Sequence, residues 1–235
     1  MNRRILLGLF AMSLSFGGNI DLSAARPPAR QWLLQKTGKS SLLIKHKGRE
    51  FRHLKIPDLI IKLIPNPRYP MTAVLAAKKN GKGSEPDYIY FVDLPSAKKQ
   101  RLRLGRGNVA WLVSEDGRLW SPGGDCMQVS RLGSDKKKVW RPDGVVLARV
   151  DELRNWLTGA PWQSTTLVNK KRSSEFLGWA AECSPAIRSG DPAGYSVYWW
   201  FDAKRGRRQV IGKCAVAQRV CAPRQALMRM VLNRK

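Results

Sequence analysis

The 235-residue sequence predicts a mainly β protein, an antiparallel sandwich, barrel or propeller-like array, with a short internal helix and a C-terminal helix. Three observations predict it. Short runs rich in β-branched and aromatic residues recur along the chain, bounded by Gly, Pro, Asn and Asp. Asp116-Gly117 and Asp143-Gly144 offer the positive φ that tight hairpin turns need. Only two stretches carry helix signals.

Taken in order, Arg3 and Arg4 precede an apolar run over 5–16, and Ser23 and Ala25 are small residues suited to cleavage before Arg26. This is the layout of a secretory signal peptide over 1–25. The run is short of the roughly 20 residues that cross a bilayer, and the paired arginines also permit a twin-arginine signal. Pro27 and Pro28 open an N-terminal linker over 26–40, and 41–235 reads as a single β-rich domain. Strands are expected over 42–45 and 50–56, flanking a turn at His46-Lys47-Gly48, then over 59–64, 71–77 and 88–94. The runs 109–113 and 118–120 read as a hairpin closed by Asp116-Gly117, with Asp143-Gly144 as a second such turn. A helix over 151–157, capped by Asp151 and ended by Gly159, and another over 223–233, with Pro223 at its first turn, complete the list.

Cys126, Cys183, Cys214 and Cys221 are even in number in a chain read as exported, which points to two disulfides. The expected pairing is Cys126–Cys183 and Cys214–Cys221. A zinc site is disfavoured, since no Cys-x-x-Cys occurs and both histidines, His46 and His53, lie far from the cysteines. No cofactor or metal is expected.

Charge is the strongest functional signal. Without residues 1–25 the chain carries 41 Lys+Arg against 16 Asp+Glu, a net +25. Such an excess attracts anionic partners over long range and says nothing about fold. Three segments share a strand, a basic turn and a second strand. Their basic residues are Lys98 and Lys99, then Lys136, Lys137 and Lys138, then Arg205, Arg207 and Arg208. If the segments are equivalent repeats, these turns gather on one rim as a single anion-binding surface. Of nine tryptophans, Trp111, Trp179 and Trp199 read as core, while Trp120, Trp140 and Trp200 are candidates for stacking on sugars or bases. Tyr198-Trp199-Trp200-Phe201 places rings on both faces of one strand, so one face is exposed or lies under a second layer.

Catalytic motifs are missing: no Gly-x-Ser-x-Gly, no Lys-Ser/Thr phosphate loop and no His-Glu-x-x-His. The enzyme route left is a pair of carboxylates drawn from Asp87, Asp93, Glu182 and Asp202, with Asp93, Glu182 and Asp202 the named candidates. Asp93 and Asp202, each at the end of an aromatic strand, suit the acceptance of turn N–H groups better than catalysis. The favoured reading is an exported, non-catalytic binder of an anionic polymer: acidic glycan, lipopolysaccharide or nucleic acid. The alternatives are an exported hydrolase of an acidic polymer, and an assembly subunit docking on an acidic protein surface.

Overall fold

The structure is a computed structural model that describes residues 29–79, 86–103, 105–106, 109–112, 119–134, 140–167, 174–191, 193–218 and 220–232. Backbone alone is described at 29, 105–106, 109–112, 131–134, 140–144 and 232. The expected signal peptide and the turn 114–117 lie outside these residues.

Four antiparallel sheets follow one another along the chain. Sheet 1 is β1 (Trp32–Lys36), β2 (Ser41–His46) and β3 (Arg49–Lys55). Sheet 2 is β4 (Leu59–Pro65), β5 (Met71–Ala77), β6 (Tyr88–Asp93) and β7 (Lys99–Arg103). Sheet 3 holds β8 (Gly105–Arg106), β9 (Val109–Leu112), β10 (Cys126–Ser134), β11 (Trp140–Arg149) and β12 (Thr165–Thr166), with helix α1 (Val150–Leu157) between the last two. Sheet 4 is β13 (Ser174–Ala181), β14 (Ser184–Gly190), β15 (Tyr195–Asp202) and β16 (Arg207–Ala215), followed by helix α2 (Ala222–Leu232). Each sheet is a meander of consecutive strands, so the mainly β expectation holds, with one internal and one C-terminal helix.

The sheets stack face to face in chain order, which explains their apolar patterns. In β5 all seven residues are buried, because both faces of sheet 2 are covered. Met71, Ala73, Leu75, Ile89 and Phe91 face sheet 3 and pack with Trp120, Met127, Val129 and Ala148, and with Leu153 and Leu157 of α1. Val74, Ala76, Tyr88, Tyr90 and Val92 face sheet 1 and pack on Leu34, Leu42, Ile44 and Leu54. Each large apolar side chain so buried contributes about 1.5–3 kcal/mol. Val145 of sheet 3 packs with Ile187, Val197 and Trp199 of sheet 4. The far face of sheet 4 is closed by Leu227 of α2, over Ala180, Ala186, Tyr198 and half-buried Trp200.

Both disulfides pair as expected. Cys126–Cys183 spans 57 residues and joins sheet 3 to sheet 4, and Cys214–Cys221 closes a short loop that seats α2. All four cysteines are thereby used, which removes the zinc alternative. No described helix is long and apolar enough to cross a membrane.

Several local expectations are corrected. Trp32–Lys36, read as linker, forms β1, paired with β2 from Trp32 opposite His46 to Lys36 opposite Leu42. Val109–Leu112 pairs with β8 and β10, and Trp120 bridges Met127, so among described residues the two runs do not form their own hairpin. Asp143-Gly144 is not a turn. It lies inside β11, where the register shifts opposite Arg131 and Leu132, a bulge that uses the same flexible backbone. The first helix is capped not by Asp151 but by Glu152, whose carboxylate accepts the Arg149 N–H at 2.6 Å. Gly159 ends it, at φ +106.

Candidate functional site

Strand direction decides which turns share an end of the stack. In sheet 2, β4 runs up into the loop 66–70, and β6 runs up into the turn before Lys98. The two loops touch, with Leu94 N donating to Pro70 O at 2.9 Å. In sheet 3 the loop 121–125 meets this same end: Asn66 Nδ2 donates to Gly124 O at 2.7 Å. In sheet 4, Glu182 at the β13–β14 turn bonds that loop in turn, accepting from Ser121 Oγ, Gly123 N and, at 2.9 Å, Asp125 N. The β15–β16 turn is beside it, with Ala203 N on Ser184 Oγ at 3.3 Å. At the lower end of sheets 1 and 2, Ile60 N donates to Lys39 O at 2.8 Å, so the Lys47-Gly48 turn is at the upper end too.

The last hairpin of sheets 1, 2 and 4 therefore turns at one end, and each turn is basic. Lys47 and Arg49 flank the first, Lys98 and Lys99 the second, Lys204, Arg205, Arg207 and Arg208 the third, all exposed. Lys47 and Gly48 both have positive φ, 50° and 79°, as a two-residue hairpin turn requires. In sheet 3 the equivalent place, between β11 and β12, is taken by α1 with Arg154. The strands that flank Lys136, Lys137 and Lys138 run the other way. Those residues lie outside the described part, but Ser134 and Trp140, which flank them, pair at the opposite end of sheet 3 from Cys126. Of the three turns, those at Lys98 and Arg205 share the end, the one at Lys136, Lys137 and Lys138 lies outside the described residues, and a further basic turn, at Lys47, joins the first two.

Asp202, Glu182 and Asp125 at this end are engaged. Asp202 Oδ1 accepts from Lys204 N at 3.1 Å and Arg205 N at 3.2 Å, and its Oδ2 lies 3.8 Å from Arg205 Nε. Glu182 is filled by three donors, and a Cβ on Gly123 would stand 2.7 Å from its Oε2. Neither is placed to exchange protons with a substrate. Arg68 pairs with Asp125 at 3.2 Å, and Tyr69 OH donates to Asp125 as well.

Asp93 differs. Its Oδ2 accepts from Ser96 N at 3.2 Å and Ser96 Oγ at 2.6 Å, while Oδ1 faces Arg154 Nε at 3.9 Å. These residues line a cavity of about 330 Å³ between the β6–β7 turn and α1, with Lys98 at one side and Pro70, Pro95, Leu157 and Thr158 completing the wall. Arg154 is also stacked on the Tyr69 ring, 5.1 Å from its centroid.

The tryptophan candidates are corrected. Trp120 is 5% exposed and its Nε1 donates to Ile64 O at 3.0 Å, so it is core. Trp200 lies beneath α2, the second layer that the paired rings of β15 call for. The side chain of Trp140 is outside the described part. Trp179 and Trp199 are buried, and Arg208 sits 4.5 Å over the Trp199 ring. Aromatic groups at the basic end come instead from sheet 1: Trp32 stacks on His46 at 4.2 Å and meets the half-exposed Phe51 edge-on at 5.1 Å. The sequence signal for these was the mixed Trp/His/Phe content beside Lys47, Arg49 and Arg52.

No known family model matches the chain, and no curated protein sequence matches it. Among solved structures it is similar to oligopeptidase B from Leishmania major, at 11% identity and a TM-score of 0.41, over 79% of this chain and 27% of that one. The chain thus spans about a quarter of the length of that protein.

Proposed function

We propose that this is an exported binding protein whose upper end, built from the Lys47, Lys98 and Arg205 turns, holds an anionic polymer without transforming it. The supporting observation is that three basic hairpin turns share one end, where Glu182, Asp202 and Asp125 are committed to turn N–H groups, neighbouring side chains or arginine. The cations there lie on short hairpin turns at one end of the stack, which suits a ligand with repeated negative charge. Two disulfides fit an oxidising compartment.

The test is retention on immobilised heparin through a salt gradient. Wild type is expected to bind and to lose affinity steeply as salt rises, because each neutralised charge releases counterions. The pairs Lys98→Glu/Lys99→Glu and Arg205→Glu/Arg207→Glu should each elute at clearly lower salt. Lys78→Glu/Lys79→Glu, on the exposed residues after β5 at the lower end, should shift far less. Equal shifts for all three pairs, or no retention of wild type, would overturn the reading.

A further inference from the structure

We propose that the cavity between the β6–β7 turn and α1 takes one acidic sugar residue, its charged group on Arg154 and Lys98 and its ring against Pro70, Pro95 and Leu157. The proposal rests on the anionic-polymer reading and names the unit recognised within it.

A volume of about 330 Å³ is near the small end of ligand sites, roughly 300–1,000 Å³, which suits one ring and not a length of chain. The lining sorts by chemistry. Two prolines and Leu157 present apolar surface to the C–H face of a sugar ring. Ser96, Thr158 and Asp93 offer hydroxyl and carboxylate groups to its hydroxyls, and Lys98 and Arg154 outnumber the one carboxylate. A bare phosphate or sulfate would satisfy the cations and leave the apolar wall uncovered.

Arg154 is the anchor. Helix α1 carries it, the Tyr69 ring supports its face, and Asp93 faces its Nε at 3.9 Å. Tyr69 is itself fixed by donating to Asp125. The side chain is therefore ordered before any ligand arrives, which removes much of the entropic cost of binding. No hydrogen bond joins its Nη atoms to a described residue, and that edge of a guanidinium is the fork that grips two oxygens of one acidic group. Lys98, exposed and without an acidic partner among the described residues, adds a second positive charge beside it.

The experiment is calorimetric titration of the full, disulfide-bonded chain with methyl glucuronide, 6-sulfated N-acetylglucosamine, neutral methyl glucoside and inorganic sulfate. At least one acidic sugar is expected to bind at least tenfold tighter than both the neutral sugar and free sulfate. Which of the two does so separates carboxylate from sulfate recognition. Thr158→Trp, which fills the cavity from an exposed position without changing charge, and Arg154→Gln should each weaken that binding at least tenfold, while Lys79→Glu binds like wild type. Thermal unfolding checks that each variant is folded, and Thr158→Trp decides the matter if Arg154→Gln is not. Equal binding of acidic and neutral sugars, sulfate binding as tight as the sugar, or unchanged binding by Thr158→Trp would overturn the site. Heparin retention without sugar binding removes the cavity and keeps the polymer reading; sugar binding without retention does the reverse.

Discussion

Glu182 and Asp93 are both carboxylates at the upper end of the stack, each beside a turn, and the fold uses them differently. Glu182 sits on a two-residue hairpin whose second residue, Cys183, has φ +53 and carries the disulfide to Cys126. Its oxygens take Ser121 Oγ and the N–H groups of Gly123 and Asp125, and Ser121 Oγ in turn accepts Cys126 N at 3.0 Å. Every donor comes from the neighbouring sheet, so the carboxylate ties sheet 4 to sheet 3. Asp93 takes two donors from Ser96 on one oxygen and turns the other to Arg154 across a cavity. A carboxylate filled by backbone donors is structure. One that shares an arginine with open space is available to a ligand.

The sharpest way to break this contrast is Glu182→Ala. Ser121, which is 1% exposed, and two backbone N–H groups lose their acceptor together. Leaving a buried donor unmet costs about 1–3 kcal/mol each, and partial rescue by water brings the expected loss to about 3 kcal/mol. Denaturant unfolding with both disulfides intact measures it. A loss below about 1 kcal/mol would mean that Cys126–Cys183 and the apolar packing of Val145 on Ile187, Val197 and Trp199 hold the junction without it.

A third carboxylate, Asp58, extends the comparison to the sheet 1 side. It is buried, accepts the Tyr90 hydroxyl and lies 3.6 Å from Arg101 Nη1. Burial, and then the hydrogen bond to Asp58, push the Tyr90 hydroxyl up from 10.0 to about 12. Above pH 10 the unfolded chain loses this proton while the folded chain keeps it. The unfolded state then binds fewer protons, so stability falls as pH rises from about 10 to about 12 and is fully present below that window. The expected loss is up to about 2 kcal/mol. It reads out as a gap in thermal stability between wild type and Tyr90→Phe that narrows across the window. Phenolate absorbance should show a titration step at about pH 12 that Tyr90→Phe removes. A gap that does not change with pH would sink the assignment.

What was legible in the sequence follows the same division between local and distant causes. The bounds of β5 were read as 71–77 because a strand covered on both faces is apolar throughout. β1 was missed because Pro27 and Pro28 dominate its approach and Trp32–Lys36 shows no alternation. Asp143-Gly144 was read as a turn because a bulge and a turn draw on the same backbone freedom, and only the pairing partner separates them. The basic turns were visible one by one. Which of them share an end was not, because α1 occupies the connection in sheet 3 and the resemblance of residues 127–140 to the other two segments is to a hairpin of opposite direction. Nothing in the sequence marks Arg154, since Tyr69 and Asp93, which orient it, are distant along the chain.

The smallest expected effect tests the Asp93 side of the contrast. Asp93→Asn keeps an oxygen for Ser96 and removes only the charge facing Arg154, a partly exposed pair at 3.9 Å. Exposed and half-exposed ion pairs contribute little, so stability should stay within about 0.5 kcal/mol of wild type. The basic end gains one net positive charge, and the variant should elute from heparin at slightly higher salt. Elution at lower salt would mean that the ion pair's ordering of Arg154 outweighs the charge it cancels. Turnover of an acidic polymer by wild type, lost in this variant while retention persists, would make Asp93 a general acid and bring back the hydrolase alternative. Glu182 is not available as its second carboxylate, because its oxygens are already taken by Ser121, Gly123 and Asp125.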